Sequence, residues 1–190
     1  MNLLQAAGLL EHGKECSGQV GEDAVVRVIS DDVALVENID VFTPIHDDPF
    51  VQGQIVACNA TNDVFTMGVT KILSLQAFLA YPSTLPREVV AGVLRGMDAF
   101  MRSIGSSVTG GQTITNPCPV FGGVCLGVAR PEEVVHSHGA RPGDVVVLTK
   151  PIGIQPAMRS YRDLQDEAKR DPLLTRFSLS EVVSMQETAV

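Results

Sequence analysis

Between Pro86 and Gly105 the apolar residues Val89, Val90, Val93, Leu94, Met97, Phe100, Met101 and Ile104 recur three and four positions apart. That period puts them on one face of an α-helix, with a proline to start it and a glycine to stop it. So wide an apolar face has to lie on something, and the flanking sequence supplies a sheet. Residues 24–29 and Val33 to Ile45 are rich in β-branched side chains and are separated by Ser30, Asp31 and Asp32, which reads as two strands joined by an acidic turn. Lys71 to Tyr81 alternates into another strand ended by Pro82, and Val120 to Ala129 is a glycine-rich strand. Pro49 suits the first turn of a helix capped by Asp48 and running to about Gly68. Asp144 to Thr149 reads as a strand after the Arg-Pro-Gly turn at 141–143, and charged helical segments follow at about 155–169 and 179–189.

Strands first, with two long helices between them, predict an α+β domain: a mixed or antiparallel sheet covered by two long helices. One domain of ~100–150 residues leaves roughly forty of the 190 residues over. The texture changes at Pro151, so the expected organisation is an N-terminal segment 1–23, a domain 24–150 and the incomplete start of a second α+β domain at 151–190.

Fourteen Lys and Arg against 22 Asp and Glu give a net charge of −8, which argues against a surface built for nucleic acid. Hydrophobic residues at 45% and charged residues at 19% exclude a disordered chain. Cys16, Cys58, Cys118 and Cys125 form no CxxC pair and no zinc spacing. With no basic leader and no apolar run long enough for a membrane span, reduced thiols in the cytoplasm are the simplest expectation. Cys58 and Cys125 lie in apolar segments and read as inert core thiols, whereas Cys16 sits near Lys14 in a polar stretch.

The chemistry-bearing residues are carboxylates in unusual places. Asp31 and Asp32 occupy a turn, Asp40 lies inside an apolar strand, and Asp63 lies in a helix among Ile55, Val56, Ala57, Val64 and Phe65. Taken singly they read as a turn former, an edge residue and a hydrogen-bonded helix carboxylate; together they suggest a hard-cation site, since Mg²⁺ takes a few carboxylates and leaves its other positions to water and phosphate. Asn59 and Asp63, four apart, share a helix face, and Gln52 and Val56 extend it into what resembles a ligand wall. Gly110-Gly111-Gln112-Thr113 offers backbone N–H groups and a hydroxyl to an anion, although a hairpin turn explains paired glycines equally well. Neither a P-loop nor a GxGxxG fingerprint is present. His136 and His138, two apart with no neighbouring carboxylate motif, read as a solvated loop, and Lys150 suits either a phosphate contact or a snorkelled surface position.

Four stretches in order resemble the selenophosphate synthetase family, within the superfamily of aminoimidazole ribonucleotide synthetase and the hydrogenase maturation dehydratase. They are residues 40–50 (DVFTPIHDDPF), 57–70 (ACNATNDVFTMGVT), 107–117 (SVTGGQTITNP) and 140–153 (ARPGDVVVLTKPIG). Gly-Gly-Gln-Thr is similar to the eukaryotic branch. The resemblance implies an aminoimidazole ribonucleotide synthetase-like N-terminal domain in a homodimer. It also implies ATP held by Mg²⁺ and synthesis of selenophosphate from selenide with release of AMP and phosphate. By position, Asp32 resembles a metal ligand, Ser30 and Asp31 a nucleotide-contacting turn, Asp40 an ATP-site aspartate and Asp63 a residue serving ATP and metal. Gly110, Gly111, Gln112 and Thr113 resemble a loop reaching ATP across the dimer.

Two departures limit the likeness. The family has a Cys or selenocysteine three residues before a Lys, well ahead of the position of Asp32; here Lys14 precedes Cys16, so no catalytic residue is assigned. The family also has a second domain of comparable size, of which residues 151–190 match the first helices. Another ATP-dependent enzyme of the superfamily, or a catalytically silent dimeric paralogue, fits the same residues.

Overall fold

A computed structural model describes residues 22–149 and 151–189. Cys16, Lys14 and Lys150 lie outside them. The chain divides into two compact units, with the boundary between Ala140 and Arg141.

The first unit holds strands β1 (Val25–Ser30), β2 (Val33–Phe42), β3 (Lys71–Tyr81), β4 (Val108–Thr115) and β5 (Val120–Ala129), with helices α1 (Pro49–Thr66) and α2 (Arg87–Ser103). The sheet order is β1-β2-β5-β3-β4, with β3 and β4 parallel and the other pairs antiparallel. This is the mixed sheet expected. Asp48 caps α1 by accepting from the amides of Phe50 and Val51 at 2.7 and 3.3 Å, so the proline start works as its composition implies.

Register explains which side chains meet the helices. Val36 pairs with Gly127, Asn38 with Cys125, Asp40 with Gly123 and Phe42 with Phe121, and paired residues share a face. That face carries the core: Val36, Leu75, Leu79, Phe121 and Cys125 against Val56, Val64, Val93, Met97 and Met101, all buried. The two helices touch backbone to backbone where Gly53 and Gly96 cross, because a Cβ on either would overlap the Val93 or Phe50 carbonyl. The opposite face of the sheet bears Leu35, Ile39, Val41, Val124, Leu126 and Val128; Ile39 is 63% exposed.

Three expectations are corrected. The second strand ends at Phe42, not Ile45, because Pro44 has no amide to donate and the amides of Ile45 and His46 turn to the Gln52 side chain at 2.9 and 3.0 Å. Residues 144–149 form no strand; Val146 is 91% exposed and no partner strand lies beside it among the described residues, and a β-branched run without a partner has nothing to pair with. The helical stretch at 155–169 is two helices. In the second unit α3 (Ile154–Asp163) and α4 (Glu167–Leu174) are separated where Asp166 accepts from the Ala168 amide at 3.1 Å and starts a new helix. The third helix there, α5 (Leu179–Ala189), buries Val182.

Candidate functional site

Strand β2 and helix α1 bring two of the expected carboxylates, Asp40 and Asp63, near one another. Asp40 points to the helix side of the sheet, where its Oδ2 receives the Asn59 amide at 3.1 Å and stands 3.4 Å from Asn38 Nδ2. Asn38 also donates to the Ala60 carbonyl at 3.3 Å. Asp63, one turn beyond Asn59, is half-buried, and burial pushes its carboxyl above the ordinary 3.8, followed by repulsion from Asp40 and then from Asp23. Asp23, two residues before β1, is tied to the end of α1, with Oδ2 3.3 Å from the Thr66 hydroxyl. Asp40 and Asp23 therefore both stand near enough to Asp63 to repel its charge, although the oxygens of the three do not all lie within 4.8 Å of one another. Such a set is unfavourable alone and suits a hard divalent cation, which neutralises the repulsion and accepts oxygen ligands.

Asp23 is the member that sequence reasoning missed. Its only local signal is an acid at the mouth of an apolar strand, and it falls in the segment expected to precede the domain. Asp32, by contrast, is not brought to the group. It lies eight residues from Asp40 along an extended strand, a reach of ~27 Å, and its ionic partner is Arg130 at 3.7 Å. Ser30 and Asp31 occupy the same remote hairpin end. The expectation of one site shared by Asp32, Asp40 and Asp63 is thus corrected by the length of β2.

Gly110 to Thr113 are neither a loop nor a hairpin turn; they lie in the edge strand β4. Gly111 pairs with Ala77, which pairs with Gly123, which pairs with Asp40. Three strand spacings separate Gly111 from Asp40, or ~14 Å. Gly111 is glycine for a local reason, since at φ 150° a Cβ would overlap the Ala77 backbone. Gly110 and Gln112 share the uncovered face of the sheet, opposite Gln76 and Phe78. Gln52 is no ligand-wall residue: it is 1% exposed and spends its carbonyl on the loop before α1. Cys58 is exposed, and Cys125 is buried with its thiol pushed up to about 12 by desolvation. His136 and His138 do have a neighbouring carboxylate, Glu22.

No helix among the described residues is long and apolar enough to cross a membrane. A family model described as AIR synthase related protein, N-terminal domain, matches residues 21–129. The selenide, water dikinase of Methanococcus maripaludis is 43% identical over 158 residues, 80% of this chain and 47% of the relative. That of Methanocaldococcus jannaschii is 39% identical over 165 residues, 83% of this chain and 47% of the relative. The chain therefore spans about half the length of the curated relatives it matches. Among solved structures, AaThiL complexed with AMPPCP and TMP superposes with a TM-score of 0.71 at 18% identity, covering 98% of this chain and 64% of that one. At that identity the likeness speaks for the fold alone.

Proposed function

Because the chain belongs to the AIR synthase related protein family, we propose that it supplies the ATP- and Mg²⁺-binding half of a cytoplasmic selenophosphate synthetase. The complete protein would convert ATP, selenide and water into selenophosphate, AMP and phosphate. The observation that carries this reading is the placement of Asp40 and Asp23 near Asp63, where they add repulsion to a carboxyl already raised by burial, a charge arrangement that invites a cation. Its donor chemistry fits Mg²⁺: carboxylate oxygens from Asp23, Asp40 and Asp63 would hold the ion and leave positions for phosphate oxygens. The ion would neutralise charge on the polyphosphate. Asn59 and Asn38 orient Asp40 for that task through their amide contacts with its Oδ2. Metal ligation thereby passes from Asp32 to Asp23, with Asp63 kept.

Gly110, Gly111, Gln112 and Thr113 enter this reading through a second copy of the chain. The uncovered sheet face, with Ile39, Leu126 and Gln112 on it, is the surface we assign to a homodimer, since sheets normally cover such a face. The edge strand of one copy would then approach the nucleotide of the other. Residues 141–189 are read as the first elements of the second domain, consistent with coverage of 47% of the M. maripaludis relative.

Calorimetry with a non-hydrolysable ATP analogue tests the binding claim. The wild type should bind only with Mg²⁺ present, and Asp63→Ala should not bind; equal binding by both refutes it. Sedimentation tests the dimer, which Ile39→Asp should dissociate. In the complete protein, selenide-dependent release of AMP supports the reaction, and ADP formation would point to another enzyme of the superfamily.

A further inference from the structure

Outside the aspartate group, one cluster gathers ligands from distant parts of the sequence. The Glu22 side chain, 3% exposed, places Oε1 at 3.4 Å from His136 Nδ1 and 3.3 Å from His138 Nδ1. Its other oxygen accepts the Ser137 amide at 3.0 Å, so the carboxylate is held from behind while Oε1 is left facing the two imidazoles. The short turn Ser137–Gly139 brings two histidines that are two apart onto the same side, with ring centroids 5.4 Å apart and planes 29° from parallel. One oxygen and two ring nitrogens thus lie within 4.8 Å of one another.

Those spacings have a specific meaning. A tetrahedral ion bound at ~2.0–2.1 Å to nitrogen and oxygen sets its ligand atoms ~3.3 Å apart. The two Glu–His separations already have that value. Two imidazoles are borderline donors, which suit Zn²⁺ and disfavour Mg²⁺ or Ca²⁺, and with one carboxylate they make up a ligand set found in zinc sites. The Ser137 amide also fixes the carboxylate as an outer contact does in metal sites.

We propose that Glu22, His136 and His138 form a zinc site with three protein ligands and an open fourth position for water. It is separate from the hard-cation group around Asp63 and does not depend on the nucleotide reading. The ion joins the segment entering β1 to the segment leaving β5, two stretches more than a hundred residues apart in sequence. It acts as a clamp that holds the start of the sheet, including the adjacent Asp23. Binding to the folded state alone makes it stabilising.

The test is titration of the 190-residue chain with Zn²⁺ in excess Mg²⁺, which occupies the carboxylate group, together with Co²⁺ absorption as a report of tetrahedral geometry. One Zn²⁺ per chain is expected, with a rise in melting temperature. His138 is 61% exposed, so His138→Ala removes a ligand without disturbing packing. It should weaken Zn²⁺ binding by more than about tenfold, abolish the thermal shift and change the Co²⁺ spectrum. Glu22→Gln should do the same, and Asp63→Asn should leave Zn²⁺ binding as it is. Zn²⁺ affinity that is equal with and without His138, or no Zn²⁺ binding by the wild type, overturns the proposal and leaves the cluster a set of ion pairs.

Discussion

Gln52 is the residue through which the site's shape is most open to measurement. Its side chain is 1% exposed, and Oε1 accepts the amides of Ile45 and His46 at 2.9 and 3.0 Å, while Nε2 has no hydrogen-bond partner among the described residues. Gln52→Ala strands two half-buried amides at ~1 kcal/mol each, because water reaches them in part. Deleting the side chain beyond Cβ leaves a void that costs ~1 kcal/mol more. Removing the unpartnered Nε2 returns ~1 kcal/mol. The net loss is about 2 kcal/mol, a melting temperature lower by roughly 8 °C for a unit of this size. Gln52→Met keeps the volume, so it isolates the hydrogen-bond contribution and should cost about 1 kcal/mol. Chemical denaturation with both variants measures the difference, and Mg²⁺-nucleotide affinity measures whether the loop before α1 has loosened. Should Gln52→Met unfold together with the wild type, the two amides find other partners and this account of the loop is wrong.

Asp63→Asn should raise the melting temperature of the ligand-free chain near neutral pH. The folded-state pKa of Asp63 is raised above its ordinary 3.8, so its ionisation costs stability as pH rises through that value and above it. The advantage of the variant should therefore vanish on acidification below about pH 4, and a gap that is constant with pH contradicts it. Gly111→Ala should lose about 1–3 kcal/mol because its Cβ meets the Ala77 backbone, whereas Gly110→Ala, with nothing within 4 Å, should be near neutral; thermal melts of the pair separate a packing role from an anion-binding one. Cys118 is exposed and should react with a thiol reagent at neutral pH, while Cys125, buried with a thiol near 12, should react only after unfolding; mass spectrometry of the labelled protein distinguishes them.

Much of the fold is legible in local sequence because its causes are local. The spacing of Val90, Val93, Met97 and Met101 defines one helix, and Asp48 with Pro49 defines the start of the other. Residues 144–149 show where that reasoning stops: a run of valines states a preference, and the presence of a neighbouring strand is a property of the whole sheet. The aspartates divide in the same way. Asp40 and Asp63 can be found as carboxylates among apolar residues, but their proximity to Asp23, and the distance of Asp32, follow from the direction and length of β2 beneath α1.

By itself the sequence determined the order and kind of nearly every element in the first unit and the family likeness, and it singled out Asp40 and Asp63 as carboxylates among apolar neighbours. Only the tertiary structure decided that Gly111 is constrained by Ala77, that Gln52 supports a loop, and that His136 and His138 face Glu22. Periodicity and capping act over a few residues and can be read from neighbours in the chain. Ligands drawn from both ends of a domain meet through strand register and helix packing, which no short stretch of sequence contains.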